Sequence, residues 1–182
     1  MKKTLYINIL GSPGSGKSTL AAELFSEMKK RLHDITIEYV PEFAKKFCFD
    51  DSTNQVFNDP VNQMYIGANQ FYNIYSLDKK VDVVITDSPF ILSCIYNNTP
   101  LLGDNYNQVV KNIFASHKNL NILLQLNPDH YQQYGRNENF IQSRELENKL
   151  NKLLSDCQIP FFKTRDCQKI IELVKKQHLE KR

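Results

Sequence analysis

The residues best suited to chemistry, by type and by spacing, are Gly11-Ser12-Pro13-Gly14-Ser15-Gly16-Lys17-Ser18-Thr19. Glycines at these intervals let successive backbone N–H groups turn inward as a concave anion nest. Lys17 adds a cation at the rim, and the Ser18 hydroxyl can ligate a divalent ion. An apolar run at 5–10 precedes the segment, and a stretch with helical periodicity from residue 20 follows it. A strand that enters a Gly-rich turn and leaves as a helix sets unpaired N–H groups and a positive dipole end against phosphate. All nine residues, Gly11 through Thr19, are therefore candidate contacts for a nucleoside triphosphate, with Lys17 over its β- and γ-phosphates. A plain strand-to-helix turn would leave the fit of both flanks unexplained.

Other candidates stand where further apolar runs end. Asp87 closes the β-branched run 81–86, where an acid beside the phosphate loop can hold Mg²⁺ or its waters. Its structural alternative is to cap a helix at Ser88-Pro89. Glu42 follows the run 35–40 and can face an acceptor hydroxyl as general base, or simply gain from a helix dipole. Arg144 opens an expected helix, where a cation is electrostatically misplaced, and Arg136 sits in a polar segment at 129–142. Both can neutralise charge on a transferring phosphoryl group, or merely form surface ion pairs. Gln63 and Gln70 lie two turns apart on an expected helix and can read a base edge or face solvent. Phe43 and Phe47, beside Glu42, can stack on a base or pack in the core.

The elements that must position these groups alternate along the chain. Strands are expected at 4–10, 35–40, 81–86, 119–126 and 159–164. Helices are expected at 17–31, 42–47, 61–77, 90–96, 104–118 and 143–155, with a last one capped by Asp166 and a charged tail from 175. For the helix at 61–77, Val61, Met64, Tyr65, Ala68, Phe71, Tyr72 and Tyr75 form the expected core stripe. For the helix at 104–118 it is Tyr106, Val109, Val110, Ile113 and Phe114. Residues 50–60 are polar and expected to form a loop. This alternation implies an α/β fold whose parallel sheet is covered on both faces. Right-handed crossovers then carry the phosphate loop, Glu42, Asp87, segment 129–142 and Arg165 to one rim of the sheet.

The 182 residues suit a single domain, 1–182, and a net charge of +3 is compatible with an anionic small substrate without excluding nucleic acid. No apolar run approaches the ~20 residues of a membrane span, and the N-terminus enters a strand directly, so no signal peptide is expected. The four cysteines are widely spaced and the four histidines follow no ligand pattern. Neither a disulfide framework nor a zinc site is expected, and a reducing, cytoplasmic setting is.

These residues in this order resemble the P-loop kinase superfamily along nearly the whole chain. Within it, Val40-Pro41-Glu42-Phe43-Ala44-Lys45 and Thr86-Asp87-Ser88-Pro89 resemble the small AAA-type ATPase/kinase group with nicotinamide riboside kinase domains, itself similar to deoxynucleoside and nucleotide kinases. The resemblance implies a three-layer α/β/α fold with about five parallel strands in the order 2-3-1-4-5. It implies Glu42 as base toward a sugar hydroxyl and an arginine-bearing lid at about 127–144 that includes Arg136 and Arg144. It also implies that the loop at Thr164-Arg165-Asp166 lies against adenine. Deoxynucleoside kinases usually carry Asp-Arg where this chain has Asp87-Ser88, so contacts of that arginine do not transfer.

The expectation is an ATP- and Mg²⁺-dependent kinase. Lys17, Glu42, Asp87, Arg136 and Arg144 would serve catalysis, Ser18 and Asp87 the metal, Arg165 the nucleotide, and Phe43 and Gln70 the acceptor. The acceptor is a nucleoside or nucleotide-like hydroxyl, with a hydroxyl on DNA or RNA, or water in an ATPase or switch, as the other readings. A monomer and a homodimer are both compatible with the chain.

Overall fold

Residues 3–50, 59–97, 101–132 and 138–179 are described by a computed structural model of the chain. Strand β1 (Leu5–Leu10) is buried along its whole length because helices cover both of its faces. It pairs in parallel with β3 (Val83–Thr86) on one side and β4 (Lys118–Leu123) on the other, and β2 (Ile37–Val40) lies outside β3. The order is β2-β3-β1-β4, so β1 delivers the phosphate loop from the middle of the sheet.

Side chains alternate across the sheet with period two, which builds two separate cores. Leu5, Ile7, Ile9, Val83, Ile85, Leu120 and Ile122 face α1 (Lys17–Arg31) and α7 (Cys167–Leu179), which contribute Leu20, Leu24, Met28, Ile170 and Val174. Tyr6, Leu10, Val84 and Leu123 face the other layer. That layer comprises α3 (Pro60–Tyr75), α4 (Ser93–Tyr96), α5 (Gly103–Ala115) and α6 (Phe140–Asp156). A short α2 (Phe47–Asp50) follows a 3₁₀ turn, Ala44–Lys46. Asn8 breaks the apolar pattern of β1, and its Nδ2 donates to Asn119 Oδ1 and Asn121 Oδ1, each at 2.9 Å. The buried amides satisfy one another, as groups removed from water must.

Four expectations are corrected. The strand expected at 159–164 is reduced to one bridge, Ile122 with Phe162. Phe162 exchanges backbone bonds of 2.9 Å with Asn121 and Leu123, but Pro160 has no N–H to extend the ladder at this exposed edge. The sheet thus has four strands rather than five, with Phe162 in the fifth place. Second, the expected stripe of α3 largely faces outward, with Val61 and Tyr72 each 69% exposed and Met64 and Tyr65 half exposed. Its buried residues are Gly67, Gln70 and Ile74. Only the Ile74 end of α3 packs into the core, while Gln63, Ile66, Gly67 and Gln70 line a cleft. Third, on α5 Val109 is exposed whereas Val110 and Phe114 are buried. Fourth, the helix expected at 42–47 starts later, as the 3₁₀ turn and α2.

Asp166 does cap the last helix, accepting from the N–H of Gln168 at 2.9 Å and of Lys169 at 3.3 Å. The loop expected at 50–60 falls mostly at 51–58, outside the described residues. Among the described residues no helix is long and apolar enough to cross a membrane.

Candidate active site

The phosphate loop is shaped by glycines at positive φ, Gly14 and Gly16 among them. Gly14 has φ +82° and Gly16 +88°, conformations that strain any residue with a Cβ. At Gly14 the space is also filled, because the Tyr131 ring covers the position. Gly16 is the N-cap of α1 and offers no side chain to the first-turn N–H groups, which are thereby left for an anion. Ser15 N–H bonds the Ser12 carbonyl at 3.2 Å, and Lys17 Nζ donates to the same carbonyl at 3.0 Å. The ammonium thus folds across the loop's mouth. The hydroxyl oxygens of Ser12 and Ser15 are buried and find no partner among the described residues. Ser18 is half-buried in the first turn of α1, and Thr19 beside it is exposed.

The loop forms one wall of a cleft of about 370 Å³, within the range of small-molecule sites. A second wall comes from α3 with Gln63, Gly67 and Gln70, and Phe90, Leu92, Ser93 and Tyr96 also line it. Glu42, Lys45, Cys48 and Glu138 line it as well.

Glu42 lines the cleft within reach of the Lys17 charge, and the residue after it, Phe43, is bonded through its N–H to Gln70 of α3. Burial pushes its carboxyl above the usual range; Lys17 opposes that shift, and the Asp87 and Glu138 charges add to it. It does not cap the turn that follows, whose N-cap is Phe43 with no side-chain bond. The neighbouring Cys48 thiol is pushed up to about 11, first by burial and then by Glu42, so it stays protonated at neutral pH. Tyr96 is raised well above its ordinary value, by burial first and then by Glu138 and Glu42.

Asp87 is only 2% exposed. Its Oδ2 accepts from the Tyr39 hydroxyl at 3.0 Å, and its Oδ1 has no partner among the described residues. It caps no helix: the N-cap of the following turn is Pro89.

Gln70 is 5% exposed, so it does not face solvent. Its Oε1 accepts from the Phe43 N–H at 2.8 Å. A backbone N–H can face only the amide oxygen, so this bond fixes the orientation of the amide and leaves Nε2 as a buried donor without a partner among the described residues.

The remaining candidates separate. The Phe43 ring is not part of the cleft lining; it packs on Phe47 and Tyr65 at 5.8 and 5.7 Å, with the Lys46 ammonium 3.7 Å above it. The aromatic cluster, not the cleft, takes the ring, and Phe43 meets the site through its backbone. Arg144 is exposed on α6 and lines no part of the cleft. The start of α6 is instead closed by the reciprocal bonds of Asn139 and Gln142. Arg136 lies outside the described residues. Arg165 is exposed, donates to the Gln125 carbonyl at 2.9 Å and reaches over Gly16.

Sequence reasoning missed Glu138, Tyr39 and Tyr131. Glu138 directly precedes the Asn139 cap of α6, which was a local signal for an acid at a helix start. Tyr131 donates to the Glu138 carbonyl at 2.5 Å while its ring covers Gly14, a contact no spacing rule announces.

A central parallel strand that opens through this loop into a helix defines a P-loop α/β protein. A family model described as an AAA domain matches residues 6–168, and the chain belongs to that family. No curated protein sequence matches the chain. Among solved structures it is similar to deoxyadenosine kinase from M. mycoides with the products dCMP and a flexible dCDP bound. That match has 19% identity, a TM-score of 0.58, and covers 94% of this chain and 97% of the other. The same enzyme with bound dATP matches at 22% identity and a TM-score of 0.54, covering 94% and 98%. At these identities the likeness is one of fold.

Proposed function

We propose that the protein is an ATP-dependent phosphotransferase that moves the γ-phosphoryl group to a hydroxyl of a nucleoside or nucleotide-like small molecule. The observation that carries this reading is one cleft bounded by two unlike walls. The phosphate loop with Lys17 forms the donor wall, and α3 with its bare Gln70 donor forms the acceptor wall. Glu42 lines the same cleft. The fold shared with deoxyadenosine kinase, whose structures hold dCMP, dCDP or dATP, supports a nucleoside-like acceptor.

Each group then has a task. The loop N–H groups and the start of α1 bind and orient the triphosphate. Lys17 leaves the Ser12 carbonyl for phosphate oxygens and counters charge that develops on the transferring group. Glu42 accepts the proton of the acceptor hydroxyl. Gln70 Nε2 donates to an acceptor atom of the bound ligand, such as a carbonyl oxygen or ring nitrogen. Ser18 and the bare Oδ1 of Asp87 are the oxygens that suit Mg²⁺, and Oδ1 is an orphan that a hard cation or its waters would satisfy. When bound, Mg²⁺ supplies charge neutralisation on the β- and γ-phosphates. Arg165, which reaches over Gly16, serves as a nucleotide contact, and Arg144, which lies off the cleft, is given no role in the transfer.

ATP consumption, followed with and without a panel of nucleosides, nucleotides and oligonucleotides, tests the reading. Turnover should stay low until a nucleoside-like acceptor is added. Equal turnover with water alone would make the protein an ATPase, and stimulation only by oligonucleotides would move the acceptor to nucleic acid.

A further inference from the structure

Tyr39 lies outside every motif, yet its hydroxyl donates to Asp87, the nearly buried acid of the site. Its ring sits between the sheet and α1, against Phe25 with centroids 6.2 Å apart. In the β2–β3 register Tyr39 pairs with Ile85 and Val40 with Thr86, so Asp87 stands just beyond the paired residues. On the other side of β3, Thr86 pairs with Asn8 of β1, so Asp87 follows beside the stretch of β1 that leads into the phosphate loop.

The carboxylate of Asp87 is divided in its bonding. Oδ2 is held by the Tyr39 hydroxyl at 3.0 Å, and Oδ1 is buried and bare among the described residues. Rotation about a carboxylate's last torsion is soft and nearly two-fold, so a single O–H determines which oxygen is held and which is offered. A phenol donates its O–H at neutral pH, so the bond persists under ordinary conditions. A buried carboxylate oxygen without a donor is costly unless a cation or donor completes it.

We propose that Tyr39 is a positioning residue: its hydroxyl fixes the Asp87 carboxylate so that Oδ1 is presented to the divalent cation of a bound nucleotide or to that cation's waters. The proposal rests on the phosphotransferase reading and adds to it a residue that governs metal affinity without touching substrate. Outer hydrogen-bond partners of metal-binding groups act in this way, and losing one lowers metal affinity by about tenfold or more.

The test is calorimetric binding of a non-hydrolysable ATP analogue in Mg²⁺ and in EDTA, with Mn²⁺ binding to the same complex read by electron paramagnetic resonance. Tyr39→Phe should leave metal-free binding of the analogue unchanged and cut the strengthening by Mg²⁺ by about tenfold. Asp87→Asn should cut it at least as far, and the double variant no further, since the two residues act as one unit. Placing p-aminophenylalanine at position 39, which keeps a donor at the ring's end, should restore the strengthening. Phe25→Leu, which loosens the packing of the ring but spares the hydroxyl, should leave it at the wild-type level. If Tyr39→Phe keeps the full effect of Mg²⁺ while Asp87→Asn loses it, the proposal is overturned and the phosphotransferase reading stands. If Asp87→Asn also keeps it, the metal role of Asp87 is what fails, and the proposal falls with it.

Discussion

Gly14→Ala probes the phosphate loop with a magnitude that the geometry sets. A Cβ at this position would lie 2.5 Å from Tyr131 Cδ2 and 2.6 Å from Cε2. Ordinary carbon contact is about 3.5 Å, so the ring must retreat by roughly 1 Å. That ring is not free to move: its hydroxyl donates to the Glu138 carbonyl at 2.5 Å, and Phe140 packs on it edgewise at 5.4 Å. Losing the hydrogen bond costs roughly 1 kcal/mol. Holding alanine at the glycine's φ of +82° adds roughly 1–2 kcal/mol. The sum, roughly 2–3 kcal/mol, should lower the melting temperature by about 4–12 °C in scanning calorimetry. Affinity for ATP should fall as well, because the nest is displaced. In a Tyr131→Ala background the steric part disappears and only the backbone strain remains, so a double-mutant cycle should show coupling of about 1 kcal/mol. A Gly14→Ala protein that melts with the wild type, or a cycle with no coupling, would refute the account of the loop as a nest braced by Tyr131.

Further outcomes are expected at three residues. Glu42→Gln should lower kcat by about 10²–10⁴ while ATP affinity holds. In the wild type, activity should decline on acidification at a pH above the ordinary carboxylate value of about 4.3, because burial raises the carboxyl. A folded-state pKa above the unfolded one means that the native state holds the extra proton, so stability falls as pH rises through that window. Glu42→Gln removes this burden, and the inactive variant should melt higher than the wild type at neutral pH. Gln70→Leu should raise the KM of the acceptor by about tenfold, the worth of one donor to a ligand, and leave the KM of ATP unchanged in steady-state kinetics. Asn121→Ala should cost about 1–3 kcal/mol in urea denaturation, since it strips Asn8 Nδ2 of one partner and unties the Pro160 carbonyl at the sheet edge.

Much of the frame was legible because local and tertiary preferences agree there. The run into Gly11, the helix from Lys17 and the cap by Asp166 each carry their own backbone logic, and the structure keeps all three. The face of α3 was not legible. Residues 61, 64, 68 and 72 and residues 63, 67, 70 and 74 both recur at helical spacing, so periodicity is satisfied by either face. The choice falls to tertiary packing: the helix overhangs a cleft, so its amides turn inward and its apolar stripe turns out. Phe43 shows the same limit on a smaller scale, since its ring is taken up by Phe47 in the following turn and by Tyr65 across on α3, at 5.8 and 5.7 Å, and the second of these neighbours is set by tertiary packing. Tyr39 and Glu138 were hidden because their roles arise from what lies across the sheet and across the cleft.

The central claim is that the phosphate loop is the donor half of a two-substrate site. Incubation with ATP radiolabelled at the γ-phosphate, followed by separation of products, tests it most directly. The account predicts label in a phosphomonoester of a nucleoside-like acceptor, with transfer lost in Lys17→Ala and Glu42→Gln. Label recovered only as inorganic phosphate, at a rate that added acceptors leave unchanged, would contradict it.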